Sequence, residues 1–350
     1  AYSSSPGNSN ILEALEHIAM EKGDGDVRRH WLEARMTVHP DDPELLRAHA
    51  HLLAKMGDME AERDVRRLEA LGLDTPADRS LLSGLRARAG SRSEALEAIE
   101  NALSEDPSQS SDWLSYANLL FEENETSKAL EAADKCLEID RQSGDAWALK
   151  AKLLAPKTNR LKDALKSAIH AVALDAGGVD LILLKADLLL TEGSASAAEE
   201  SLVKALEKDK MNGELRARIA TRNLLDGRIN DAQKLLDETP VGIDHALLHV
   251  VEGRLHLANA DRTRDGTGET DVTLLSVAIS AFENALKLNR ELGVAWLGMA
   301  RTNRLLKNID SAEEALARAG RLLPEDDPSV AAESALLFLD KGDIAAAAQQ

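Results

Sequence analysis

Cysteine is all but missing. The 350 residues hold one, Cys136, which excludes an intrachain disulfide and any zinc site built from several thiolates. Aromatic residues are nearly as scarce, 3% of a chain that is 44% hydrophobic. A deep core for a chain this long would spend more large rings, so the apolar residues must be buried in thin layers. No uninterrupted apolar run approaches the ~18–20 residues that cross a bilayer, and direct membrane insertion is not expected. Basic charge is also in deficit, with 42 Lys and Arg against 61 Asp and Glu for a net charge of −19. Nucleic-acid binding needs a basic stripe to neutralise phosphates, so a nucleic-acid partner is excluded on that ground. The short motifs of chemistry are missing as well: GDGD near Gly23 and GTGETD near Gly266 lack the strand and the Lys-Ser/Thr of a phosphate loop. No G-x-S-x-G or H-E-x-x-H is present, and the expectation is a non-enzyme with no cofactor.

What the chain has is repetition. In EALEAIENALSEDP, Ala95, Ile99 and Ala102 are spaced by four and three before Pro107 stops the helix, and KALEAADKCLEIDR puts Ala129, Ala133 and Cys136 in the same three places. Cys136 thus reads as a small buried residue in an alanine slot, not as a reactive thiol. The marker recurs at Val27, Ala61, Ala95, Ala129, Ala164, Ala198, Ala232, Ala278, Ala312 and Ala346, with gaps of 34 or 35 residues and a single gap of 46. A period of about 34 residues with two helices per unit predicts a solenoid in which each unit packs only on its neighbours.

The pattern resembles the tetratricopeptide repeat (TPR) family. The resemblance runs through Leu82, Gly90, Ala95, Ile99, Ala102 and Pro107 in one unit and through Trp296, Met299, Ala300, Ala312, Leu316, Ala319 and Pro324 in another, with Trp113 and Trp147 at the family's first-helix Trp position. It implies an all-α array of antiparallel helix pairs in a right-handed superhelix. Small residues Ser83, Ala117, Ala151 and Ala186 recur where the two helices of a pair come close. The expected units are 8–41, 42–75, 76–109, 110–143, 144–178, 179–212, 213–243, 244–292, 293–326 and an incomplete 327–350. Residues 1–10, AYSSSPGNSN, read as a disordered leader or linker, and a start without Met fits an excised piece or a chain cut from a signal peptide or membrane anchor. The ending AAAAQQ shows no polar capping face, and the natural chain is expected to continue.

The 46-residue gap holds a polar insertion near 259–272, DRTRDGTGETDV, which reads as a solvated loop. Asp261, Thr263, Asp265 and Gly266 fit the start of a calcium loop, but its twelfth position is Val272 where Glu is needed, so no calcium site is expected. Before it, His245, His249, Glu252 and His256 share one helical stripe. One straight helix brings about two such side chains to one ion, so the stripe reads as polar lining and not as a metal centre. Taking Leu247 as the bulky first-helix residue places that stripe on the concave side.

The resemblance implies that ligands are held at the fifth and ninth positions of successive first helices. The ninth positions read Glu16, Ala50, Gly84, Asn118, Lys152, Asp187, Thr221, Arg301 and Ala335. The chaperone-binding clamp of some family members needs Lys and Asn, then Asn, then Lys and Arg on adjacent units; only Asn118 and Lys152 fit, so that role is not expected. Arg301 and Arg304, three apart, are the local anion-binding candidates. The expected partner groove therefore comprises Asn118, Lys152, Asp187, His249, Glu252, His256, Arg301 and Arg304. The function expected is a non-catalytic scaffold for a peptide or protein partner, with self-association through apolar end faces as a further expectation. The style of the repeats is similar to that of bacterial envelope and polysaccharide-export scaffolds, which points to the periplasm, the envelope or the cytoplasm. The alternative is a regulatory or substrate-recruiting arm of a larger enzyme continuing past Gln350.

Overall fold

The computed structural model describes residues 8–267 and 271–349. Among the described residues, regular structure is entirely helical, and contacts divide the chain into two compact units, one ending at Leu188 and one beginning at Leu189. The first contains α1 (Ser9–Lys22), α2 (Gly25–Val38), α3 (Pro43–Met56), α4 (Ala61–Leu71), α5 (Pro76–Arg88), α6 (Arg92–Glu105), α7 (Ser110–Glu122), α8 (Thr126–Ile139), α9 (Gly144–Leu154) and α10 (Leu161–Ala173). The boundary falls within α11 (Gly178–Glu192). The second contains α12 (Ala195–Lys208), α13 (Gly213–Leu225), α14 (Ile229–Asp237), α15 (Ala246–Thr267), α16 (Val272–Leu288), α17 (Gly293–Leu305), α18 (Ile309–Leu322), α19 (Pro328–Asp340) and α20 (Ile344–Gln349).

In the first unit each odd-numbered helix from α1 to α9 pairs with the helix after it, and the second helix of each pair packs on the first of the next. First helices also meet directly, α3 on α5, α5 on α7 and α7 on α9. This is a solenoid, and the sequence marker explains its close packing. Ala61, Ala95, Ala129 and Ala164 are all 0% exposed, because a methyl group is the largest side chain that fits where two helices touch. Ser83, Ala117 and Ala151 are buried opposite them. Cys136 shares this environment, and burial pushes its thiol pKa up, which suits a packing role.

The helix ends follow from local chemistry. The Asp42 carboxylate accepts from the amides of Glu44 and Leu45, and Pro43 fills the first turn, where no amide donor is needed. Thr75 and Asp78 form a reciprocal capping box at the start of α5. Gly57 and Gly72 end α3 and α4 with φ of +78° and +67°, a conformation that side chains disfavour. Residue 9, assigned from composition to a leader, already lies in α1, whose first amides are capped by Asn8. Residues 1–7 lie outside the described residues.

The second unit keeps the pairing, with α15 on α16 and α17 on α18, but changes the helices. Its α14 has 9 residues, cut short ahead of Pro240. Its α15 has 22 and runs through the stretch that composition marks as a loop. Asp261 and Arg264 pair along that helix at 3.3 Å, and the Thr263 hydroxyl donates to the Asn259 carbonyl at 3.0 Å. A glycine inside a helix costs only about 1 kcal/mol against alanine, so Gly266 does not break it. Residues 268–270 and the side chains of Asp265 and Thr267 lie outside the described residues.

The second unit also buries the largest side chain of the interior. Phe282 of α16 is 0% exposed. A Cβ on Gly298 of α17 would stand 2.3 Å from its ring, and one on Gly253 of α15 would stand 2.7 Å from it. Two helical glycines, each carrying that same modest cost, therefore make room for one phenyl ring.

Candidate functional site

Three successive first helices of the second unit line one groove of about 790 Å³. From α15 come Arg254, Leu257, Ala258, Asp261 and Arg264, from α17 Val294, Leu297, Gly298, Arg301, Arg304 and Leu305, and from α19 Ser329, Ala332, Glu333 and Leu336. Steps of three and four keep each set on one helical face. The wall is apolar with charges set into it, and Leu224 and Leu225 at the end of α13 complete it.

Most of those charges are already paired. Arg304 donates from Nε to Glu333 Oε1 at 2.5 Å and from Nη1 to Asp340 Oδ2 at 3.2 Å. Burial opposes the Arg304 charge, but these two carboxylates outweigh it and raise its pKa. Arg301 donates to Asp261 Oδ2 at 2.6 Å, and Arg264 reaches the other oxygen of that carboxylate at 3.3 Å. Arg301 is thus exposed but paired, while Arg304 is bound into the scaffold and is not an open anion site.

Arg254 differs from all of these. It is half-buried, and among the described residues it has no hydrogen-bond or ion-pair partner. Burial, and after it the like charge of Arg301, lowers its guanidinium pKa.

Sequence reasoning passed over Arg254 because it phased α15 on Leu247. Counted from the first residue of each helix, Asn118 of α7, Lys152 of α9, Thr221 of α13 and Arg301 of α17 are ninth, and so is Arg254 of α15. By the same count, Trp113, Trp147 and Trp296 are fourth, and so is His249. Each tryptophan Nε1 donates to the carbonyl six residues earlier, at 2.8, 3.0 and 2.9 Å. His249 holds the equivalent place with its Nε2 at 2.8 Å from Asp244 Oδ1 and its Nδ1 at 3.4 Å from Glu252 Oε2.

The histidine stripe therefore lies away from the groove. At about 100° per residue, His249, Glu252 and His256 lie roughly opposite Arg254, Leu257 and Asp261 around α15. They line a separate cavity of about 230 Å³ with Gln233, Leu236 and Asp237 of α14, and His256 Nδ1 is buried there without a partner. No set of three or more His, Cys, Asp or Glu placed to hold a metal ion occurs among the described residues. In the first unit Asn118 and Lys152 are exposed on α7 and α9, which touch, and Asp187 is half-buried on α11. The eight expected residues thus do not form one surface: Arg301 and Arg304 share the groove, and the three residues of the stripe share the cavity.

A sequence model of the tetratricopeptide repeat family matches residues 86–153. That match spans α6, α7, α8 and nearly all of α9, within the regular stack of helix pairs. This stretch of the chain is built of tetratricopeptide repeats. A monomeric mutant of IFIT1, solved with m7Gppp-AAAA, shares the repeat fold at TM-score 0.54 and 18% identity over 88% of this chain and 76% of that one. A tetratricopeptide repeat protein from Parabacteroides merdae ATCC 43184 matches at TM-score 0.50 and 19% identity over 74% of this chain and 98% of that one. No curated protein matches the sequence. No helix among the described residues of the repeat array is long and apolar enough to cross a membrane.

Proposed function

We propose that this tetratricopeptide repeat chain is a non-catalytic scaffold that holds a segment of a partner protein in the groove of its second unit. The observation that carries the reading is the continuous lining by α15, α17 and α19, an apolar wall with arginines set into it. Such a surface offers an extended segment many shallow contacts, from which scaffolds of stacked helices draw affinity. Leu225 and Leu336, 74% and 43% exposed, give an entering chain apolar surface to cover.

The IFIT1 structure contains m7Gppp-AAAA, and a nucleic acid is the competing class of ligand. Two features favour a peptide here: the net charge of −19, and the carboxylates of Asp261 and Glu333 on the groove wall, which repel a polyphosphate backbone. A photo-crosslinking amino acid tests the reading, placed at Leu336 in the groove or at exposed Ser280 on α16. In lysate of the source organism the Leu336 variant should capture a partner that the Ser280 variant does not. Capture from Ser280 alone moves recognition off the groove and defeats the proposal.

A further inference from the structure

Arg254 has a cost in the free chain that no partner among the described residues offsets. A guanidinium withdrawn from water loses hydration, and a scaffold normally compensates with a carboxylate or a carbonyl. Around this groove Arg301, Arg264 and Arg304 all have such partners, and Arg254 has none among the described residues. The lowered pKa of its guanidinium has the same origin, burial first and the neighbouring Arg301 second. A side chain in that state, on a groove wall whose other charges are already engaged, is placed to complete an ion pair with a ligand.

From the groove geometry we infer that Arg254 receives a single carboxylate of the bound segment, flanked on the peptide by apolar residues that cover Leu225, Leu297 and Leu336. The inference rests on the scaffold reading above and names the chemistry of its ligand. One open guanidinium calls for one carboxylate. Asp261 and Glu333, already engaged on the same wall, would repel a string of negative charges. The fork of a guanidinium matches the two oxygens of a carboxylate, and the partly dry site strengthens the contact.

The test is an array of 12-residue peptides with one central Glu between leucines and varied flanks, each paired with its Gln counterpart and made with both free and amidated C-termini. The full chain should retain the Glu peptides over the Gln peptides by about 10-fold or more, as expected for a charge-assisted bond in a partly buried site. Retention of amidated peptides assigns the carboxylate to a side chain, and a need for the free acid assigns it to the C-terminus; both satisfy the inference. Arg254→Met should abolish the Glu preference, leave Gln-peptide binding in place, and melt no lower than the wild type, since it removes a half-buried charge with no partner among the described residues.

Binding without Glu preference, a preference that survives Arg254→Met, or a clear fall in melting temperature in that variant overturns the inference while leaving the scaffold reading intact. Failure of every peptide to bind overturns both. Retention of a short single-stranded RNA in an Arg254-dependent way, in place of the peptides, also overturns both.

Discussion

The two units differ in how they use the same repeat. From α5 to α10 the slots of successive helices keep their occupants: alanine at the marker, a small residue opposite it, and tryptophan at the fourth position of α7 and of α9. From Leu189 the slots persist but their occupants change. Histidine takes the fourth position of α15, arginine takes the ninth positions of α15 and α17, and phenylalanine lies four residues beyond the marker alanine of α16. In the matching place the first unit has Trp31, only half-buried, and then Val65, Ile99, Ala133 and Ala168, all buried. Uniform filling produces an even stack, whereas uneven filling leaves charges and apolar surface along a groove. The contrast indicates that a repeat array acquires a site by changing slot occupants while its helix pairing stays the same.

The sharpest way to break the contrast is to empty the second unit's aromatic slot. Phe282→Ala removes a ring held between Gly253 and Gly298, which have no side chains to collapse into the space, and should cost about 3–5 kcal/mol. Urea denaturation followed by helical circular dichroism measures it. A cost below about 1 kcal/mol would mean that the ring does not organise this core.

The reverse change should act next most strongly. Gly298→Ala puts a methyl group where the ring stands, 2.3 Å from its Cζ, and should destabilise by about 1–3 kcal/mol although alanine is the better helix former. In the Phe282→Leu background the same substitution should cost much less, because the clash is with the ring edge. Equal costs in both backgrounds would place the strain elsewhere.

How far the sequence revealed this contrast depended on whether a signal was periodic. The marker alanines located the helix pairs because a methyl-sized gap recurs with the packing that requires it. They could not phase α15, since the 46-residue interval between Ala232 and Ala278 contains both a shortened α14 and a lengthened α15. Two positions of slip, about 200° around the helix, moved the expected groove lining from Arg254 to the histidine stripe on the other side. Counting from the turn before α15 would have recovered Arg254, because Gly213, Gly144 and Gly293 each open a first helix against the turn that follows their own repeat. The pairing of Arg304 with Glu333 and Asp340 depends on a contact between α17 and α19, and spacing along one helix could not show it.

Within the regular unit, Tyr116 supplies a pH-dependent comparison. Burial first, and then the bond of its hydroxyl to Glu100 at 2.8 Å, push its pKa from 10.0 to about 12. The unfolded chain therefore loses the phenolic proton near pH 10 while the folded chain keeps it until about 12. An acid whose folded pKa is raised weakens the fold as pH climbs between those values. The urea midpoint of the wild type should fall over that range more steeply than that of Tyr116→Phe. Parallel curves would show that the hydroxyl ionises freely.

The smallest effect tests what the two units share. Trp113 in the first and Trp296 in the second each tie the start of a helix to the turn before it by the same bond, Nε1 to a carbonyl six residues back. Phenylalanine at either position keeps an aromatic ring and removes that donor, so each substitution should cost about 0.5–1.5 kcal/mol, the net worth of one hydrogen bond. The two costs should agree if the slot does the same job on both sides of the chain, although Arg318 lies over the Trp296 ring at 4.5 Å. An excess at Trp296 would measure that cation–π contact, of order 0.5–1 kcal/mol where solvent reaches it. Arg318→Ala should then erase the excess, because it removes the guanidinium that makes the contact.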